Sequence, residues 1–229
     1  MNPRVGTYYF AGTVALIALA CFSRPWGYVL LWPASSLALV AVGYFSIGHR
    51  VYAKQSGQHA RWAKGLHFFT LKGHELSRRA YAKTCDPWNP LLEGLLIGRQ
   101  LDAGEAPLLK EAGVTAILDL TSEFSEPRLL TEMDYLSVPI LDLTAPSDGA
   151  LDSALEFIDR QMKHGSVYIH CKIGYSRTAA VAGSYLIMAG HAHNPAEAIE
   201  LLRRARHNIV IRPEAKATIE RYAARCHPS

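Results

Sequence analysis

Cys171 and Arg177 stand six positions apart in the stretch VYIHCKIGYSRTAAVAGSYLI, residues 167 to 187. The cysteine closes a short apolar run that reads as a buried strand, and the arginine opens a run that reads as a helix. Between them lie Lys172, Ile173, Gly174, Tyr175 and Ser176. A loop this short, entering a helix at once, would turn successive backbone N–H groups around a point near the sulfur, at the positive end of the helix. Gly174 lets the backbone bend where a side chain would obstruct, and the planar fork of Arg177 suits two oxygens of a phosphate. The same field favours a thiolate, so Cys171 is expected to be a nucleophile at neutral pH. The implied reaction is attack on phosphorus with a cysteinyl-phosphate intermediate.

Such a reaction needs a proton donor for the leaving oxygen and later a base for water, and one carboxyl can serve as both. Asp142 in PILDLTAPSDG is the first choice, because it follows an apolar run at 135–139 and precedes the helix leading into the cysteine strand. Asp148 is the rival, with a ready explanation as a helix-start residue. Asp119, at the other LDLT, reads as a strand-end or turn residue. Ser176 and Thr178 flank the arginine; a hydroxyl here assists thiolate departure or caps the helix. His170 orients the loop or is a buried structural histidine. The remaining histidines lack ligand spacing, so no metal is expected, and the chemistry requires no cofactor.

The elements that must position these residues run from about Asp86 to the end. Asp86-Pro87-Trp88-Asn89-Pro90 reads as loop. Strands are predicted at 95–97, 114–118, 135–139 and 167–169. Helices are predicted at 103–112, 151–163, 178–189, 196–206 with Asn194 as cap and Pro195 in the first turn, and from 213 onward. This alternation predicts an α/β domain with a mostly parallel central sheet flanked by helices, which binds ligands beyond the carboxyl ends of its strands.

Upstream, residues 5 to 47 are overwhelmingly apolar, with Arg24 as their only formal charge, inside the turn Ser23-Arg24-Pro25-Trp26-Gly27. This predicts a two-helix transmembrane hairpin over 1–47, with spans near 5–22 and 28–47. A cleaved signal is the alternative, but the leading basic region is only Arg4 and a second long apolar span follows. Residues 48 to 84 carry eight Lys or Arg and one acid, Glu75. By the positive-inside rule this segment, both termini and a catalytic domain over 85–229 lie on the cytoplasmic side of the membrane. Leu66, Phe68, Phe69, Leu71 and Leu76 interleave with the cations, as in a helix lying on anionic lipid; a solvated basic linker is the other reading. Beyond Thr84 there are 14 basic and 19 acidic residues, so the net charge of +4 belongs to the juxtamembrane segment and does not argue for nucleic-acid binding. The four cysteines show no paired spacing and are expected as free thiols. Oligomeric state is not legible from the sequence.

HCKIGYSRT resembles the signature loop of the cysteine-dependent dual-specificity phosphatases. DPWNPLLEGLLIG, LDLTAPS and IVIRPEA, in order around it, are similar to the mitochondrial-type phosphatidylglycerophosphate phosphatases of that superfamily and their bacterial relatives, over roughly 86–225. The resemblance implies the dual-specificity phosphatase fold, Cys171 as nucleophile, Arg177 as phosphate ligand, Asp142 as general acid and Thr178 as the assisting hydroxyl. It also implies Lys172 and Arg212 near the pocket mouth, where they would favour an acidic lipid headgroup. Tyr175 stands where the lipid-directed enzymes carry a basic residue and protein-directed ones also carry tyrosine. The expected substrate is a phospholipid headgroup at the membrane, with a phosphoprotein as the alternative.

Overall fold

The computed structural model describes residues 1–23 and 25–226. Arg24, the charge in the expected hairpin turn, lies outside the described residues. Packing divides the chain into Met1–Ser77 with Ser122–Ser125, and Arg78–Thr121 with Glu126–Ser229. Composition instead marks changes at 47/48 and 84/85.

In the first unit, helix α1 (Pro3–Phe22) is followed by successive helical segments over Trp26–Tyr52, whose α-helical part is α2 (Leu31–Val42). Both stretches are long and apolar enough to cross a membrane, and they fit a hairpin. Small residues bring the two together: Gly6 lies against Phe45 and Gly12 against Leu37, while Tyr9 and Tyr44 stack at 5.6 Å. The chain turns at Gly48, where φ is +65°.

The basic segment then forms a two-stranded hairpin, β1 (Lys54–Gln55) and β2 (Gln58–His59), and helices α3 (Arg61–Leu66) and α4 (Phe68–Ala82). The apolar residues Leu66, Phe68, Phe69, Leu71 and Leu76 fall on these helices, and the hairpin precedes them. The hairpin turns at Ser56-Gly57, both with positive φ. The start of α4 also docks on α2. Ser36 and Thr70 share a buried hydrogen bond of 2.9 Å, and Trp32 meets the rings of Phe68 and Phe69 at 5.8 and 5.1 Å. Buried His67 bonds the Val51 carbonyl at 3.0 Å, and burial lowers its pKa.

The second unit contains a five-stranded sheet in the order β3-β4-β7-β5-β6. Its strands are β3 (Trp88–Leu92), β4 (Leu95–Arg99), β5 (Val114–Thr121), β6 (Asp134–Ile140) and β7 (Ser166–Cys171). All neighbours are parallel except β3 and β4. The segment read as loop at 86–90 therefore contributes an edge strand, and the edge is where a ladder tolerates Pro90. Helices α5 (Ala106–Glu111), α6 (Arg128–Thr131), α7 (Asp148–Met162), α8 (Ser176–Met188), α9 (Pro195–Ala205) and α10 (Pro213–Cys226) complete the unit. Asn194 caps α9 through the Glu197 N–H at 3.0 Å, as its sequence position predicts.

Strand β7 is central and parallel on both sides, so its apolar run is buried on both faces. Leu95, Ile97, Leu118, Val167 and Ile169 belong to one core cluster with Ala179, Val181, Ala182 and Leu186 of α8. That packing holds the helix after Cys171 against the strand before it. Gly183 has no Cβ because Ile219 of α10 occupies the space.

At the carboxyl end of β4, buried Arg99 binds both carboxylate oxygens of Glu105, at 2.9 and 2.6 Å. The bond to Arg99 holds the Glu105 carboxyl below its ordinary pKa. A depressed folded-state value means that the contribution to stability is complete above the ordinary carboxylate range and disappears as pH falls through the folded value. The full chain in detergent should thus lose Tm between about pH 5 and pH 3 more steeply than Glu105→Gln does. Parallel Tm curves for the two proteins would remove this pair from the acid response.

Candidate active site

Cys171 is the last residue of β7 and is 3% exposed; α8 begins five residues later at Ser176. The intervening loop is shaped by where its carbonyls go. The Gln100 N–H at the end of β4 holds the Lys172 carbonyl at 3.3 Å, and the Arg206 guanidinium holds that of Ile173 at 3.1 Å. A trans peptide directs its N–H opposite to its C=O, so the N–H groups of Ile173 and Gly174 face the other way. Gly174 has φ +74°, and a Cβ there would collide with the carbonyl group of Gly98. Glycine is thus required at 174 both by the left-handed backbone and by the approach of β4.

Arg177 is 2% exposed in the first turn of α8. Its Nη1 donates to the Ile140 carbonyl at the end of β6, at 2.8 Å, and its Nη2 lies 3.3 Å from Asp142 Oδ1. Asp142 sits two residues beyond β6, and Leu143, with φ +59°, follows it in the turn. Both occurrences of LDLT mark strand exits, the first ending β5 and the second leaving β6. The structure thus pairs the guanidinium with one carboxylate 35 positions away, and the cysteine ends the strand whose following loop leads into the helix of that guanidinium. Asp148 does not join them in this way; as the first residue of α7 it pairs with Arg221 of α10 at 3.0 Å.

The other residues singled out by sequence fall into two groups. Thr178 is fully buried, and neither its hydroxyl nor that of Ser176 has a hydrogen-bond partner. The helix carries no side-chain cap, so neither hydroxyl is engaged in the capping role. Lys172 is 8% exposed and Ile173 and Tyr175 are half-buried. Arg212 is exposed just before α10, where its carbonyl accepts from Ala215 and Lys216.

Sequence reasoning singled out His170 and Asp119 but not the partners they meet near the end of β7. His170 stacks on Tyr168 at 5.3 Å, and the Tyr168 hydroxyl donates to the Arg99 carbonyl at 2.6 Å. Asp119, Glu126 and His170 are buried with their ligand-capable atoms within 4.8 Å of one another, although no spacing connects them in sequence. The carboxylates are engaged by protein donors: Asp119 accepts from Thr121 and from Tyr135, and Glu126 accepts from Gln100 at 2.8 Å. Asp119 is accordingly the strand-end residue that its position suggests. Burial, with Asp119 beside it, pushes the Tyr135 hydroxyl far above its ordinary value, so it stays a donor. Arg206 was one of several arginines in RRARHNIVIR, and nothing in that run distinguishes it.

A central parallel strand ending in cysteine, a short loop and a helix opening on arginine place the second unit in the class of α/β phosphatase domains with a cysteine signature loop. Residues 95–225 match the family described as "Dual specificity phosphatase, catalytic domain", which is more than half of the chain, and the chain belongs to that family. Phosphatidylglycerophosphate phosphatase PTPMT2 of Arabidopsis thaliana is 30% identical over 143 residues, covering 59% of this chain and 62% of that protein. Dual specificity protein phosphatase 19 of Mus musculus is 33% identical over 131 residues, covering 56% and 55%. The chain thus spans just over half to three fifths of the length of these two relatives. The crystal structure of Tk-PTP in the active form covers 61% of this chain and 97% of its own at TM-score 0.56 and 23% identity. That of PTPMT1 in complex with PI(5)P covers 62% and 100% at TM-score 0.54 and 22% identity. At these identities the two structures show a shared fold.

The geometry at Gly174 has a direct test. Gly174→Ala must leave the left-handed region, at about 1–2 kcal/mol, or push Gly98 away. It is expected to lower Tm and to reduce turnover of an aryl phosphate at least tenfold, while Gly149→Ala at an exposed position in the first turn of α7 lowers neither. Unchanged turnover in Gly174→Ala would show that the loop does not depend on this backbone.

Proposed function

We propose that this chain is a membrane-tethered phosphatase that hydrolyses a phosphomonoester on a lipid headgroup. The observation that carries the reading is the pairing of buried Arg177 with Asp142 just beyond β6, with Cys171 at the carboxyl end of β7 and a five-residue loop between it and Arg177. With phosphate in the loop, the guanidinium of Arg177 grips two oxygens, and the amide groups turned away from Gln100 and Arg206 meet the others. The Cys171 sulfur attacks phosphorus and forms the S–P bond as the P–O bond to the leaving group breaks. Asp142, next to the same guanidinium, delivers the proton to that leaving oxygen. Asp142 then takes a proton from water as the water oxygen attacks phosphorus, and the S–P bond breaks to return the thiolate. A hydroxyl from Thr178, buried and unengaged, stabilises the departing sulfur.

Support for a lipid substrate comes from the two apolar helices, the aromatic side chains of Trp62, Phe68 and Phe69 left exposed beside them, and the similarity to a phosphatidylglycerophosphate phosphatase. A hairpin in the membrane would hold the pocket at high local concentration of headgroups, with the basic segment on the cytoplasmic leaflet. Tyr175 in the loop and the similarity to a dual specificity protein phosphatase favour a phosphoprotein as the second reading.

The full chain in detergent or vesicles should release phosphate from phosphatidylglycerophosphate or phosphoinositide vesicles faster than from phosphotyrosine peptides. Cys171→Ser should abolish turnover, and Asp142→Asn should lower kcat about 10²-fold, least for esters with good leaving groups. Faster release from the peptides would establish the protein-directed reading. Equal rates for wild type and Asp142→Asn on every ester would assign the acid elsewhere.

A further inference from the structure

Arg206 follows the last residue of α9 and is only 4% exposed. Its Nη2 donates to the carbonyls of Ile173 and Asp86 at 3.1 and 3.0 Å, and its Nη1 donates to Asn89 Oδ1. The guanidinium carbon lies 5.7 Å from the centroid of the Tyr175 ring. The Tyr175 hydroxyl meets the Cys85 thiol at 3.1 Å, and burial, with this bond, pushes the hydroxyl up to about 12. One buried cation therefore ties the signature loop, at two of its five residues, to the chain entering β3.

The consequence for an anion follows from peptide geometry. Were the Ile173 carbonyl free to rotate, its peptide could turn its oxygen toward the phosphate and take the Gly174 N–H away from it. Flexibility there is cheap, because Gly174 is the one loop residue without a Cβ. Arg206 removes that freedom by holding the oxygen outward, and the same guanidinium supports the ring of Tyr175. Lysine cannot reproduce three acceptors in one plane; it offers a single point charge.

We propose that Arg206 is a positioning residue of the phosphate site, acting through the Ile173 carbonyl and the Tyr175 ring to set oxyanion affinity without touching substrate. The proposal rests on the phosphatase reading of the loop. It separates Arg206 from Arg177: one fork binds the anion, and the other binds the loop that binds the anion.

The test uses the full chain in detergent, with tungstate as the oxyanion probe and para-nitrophenyl phosphate as substrate. Arg206→Met should raise the tungstate inhibition constant and KM about tenfold with a smaller change in kcat, since the affected amide meets the anion in ground and transition states alike. Arg206→Lys should recover part of both. Asn89→Ala, which removes one acceptor of the guanidinium and leaves the charge, should shift both in the same direction by about threefold. It decides the matter if Arg206→Met does not fold. Folded variants that lose Tm but keep wild-type tungstate inhibition and KM would overturn the proposal and leave Arg206 a structural residue. Wild-type protein that neither hydrolyses the ester nor binds tungstate would instead overturn the phosphatase reading itself.

Discussion

The catalytic unit depends on the direction of a few peptide planes after Cys171. An anion site made from backbone amides exists only if the matching carbonyls are satisfied elsewhere, because a loose peptide can present either end to the ligand. Here two carbonyls have fixed partners: that of Lys172 on the Gln100 N–H and that of Ile173 on Arg206. The partners lie in separate parts of the chain, one following β4 and one following α9. The fold is the means of bringing them to one loop.

Several buried polar contacts serve that end. Tyr168 spans from β7 to the Arg99 carbonyl, and Arg99 is itself fixed by Glu105. Glu126 receives the Gln100 side chain, and the Gln100 backbone N–H holds the loop, so the carboxylate and that amide belong to one connected arrangement. Such a network is favourable only when its members are paired, which explains why buried charge is tolerated so close to Cys171. Arg177, held by the Ile140 carbonyl and lying beside Asp142, joins the turn after β6 to the helix after the signature loop.

Much of this was readable in the residues. Strand β7, helix α8 and the loop between them follow from an apolar run, one glycine and the resumption of apolar spacing, and Asp142 follows from the second LDLT. The edge strand β3 was hidden because proline and asparagine read as loop, although an edge position accommodates them. Gln100, Glu126 and Arg206 were hidden for a different reason. Their importance lies in contacts across 26 to 120 positions of chain, and no local pattern separates a stapling arginine from its solvated neighbours Arg203 and Arg204. Docking of α4 on α2 was likewise invisible, since Ser36 and Thr70 become meaningful only as a pair.

The decisive measurement is a crystal or cryo-EM structure of the full chain with tungstate bound. The account predicts the anion beside Cys171, with the N–H groups of Ile173 and Gly174 directed at its oxygens, both forks of Arg177 on it, and the Ile173 carbonyl still on Arg206. Tungstate bound elsewhere, or met in the loop by carbonyl oxygens with Arg177 remaining on Ile140 and Asp142 alone, would contradict it.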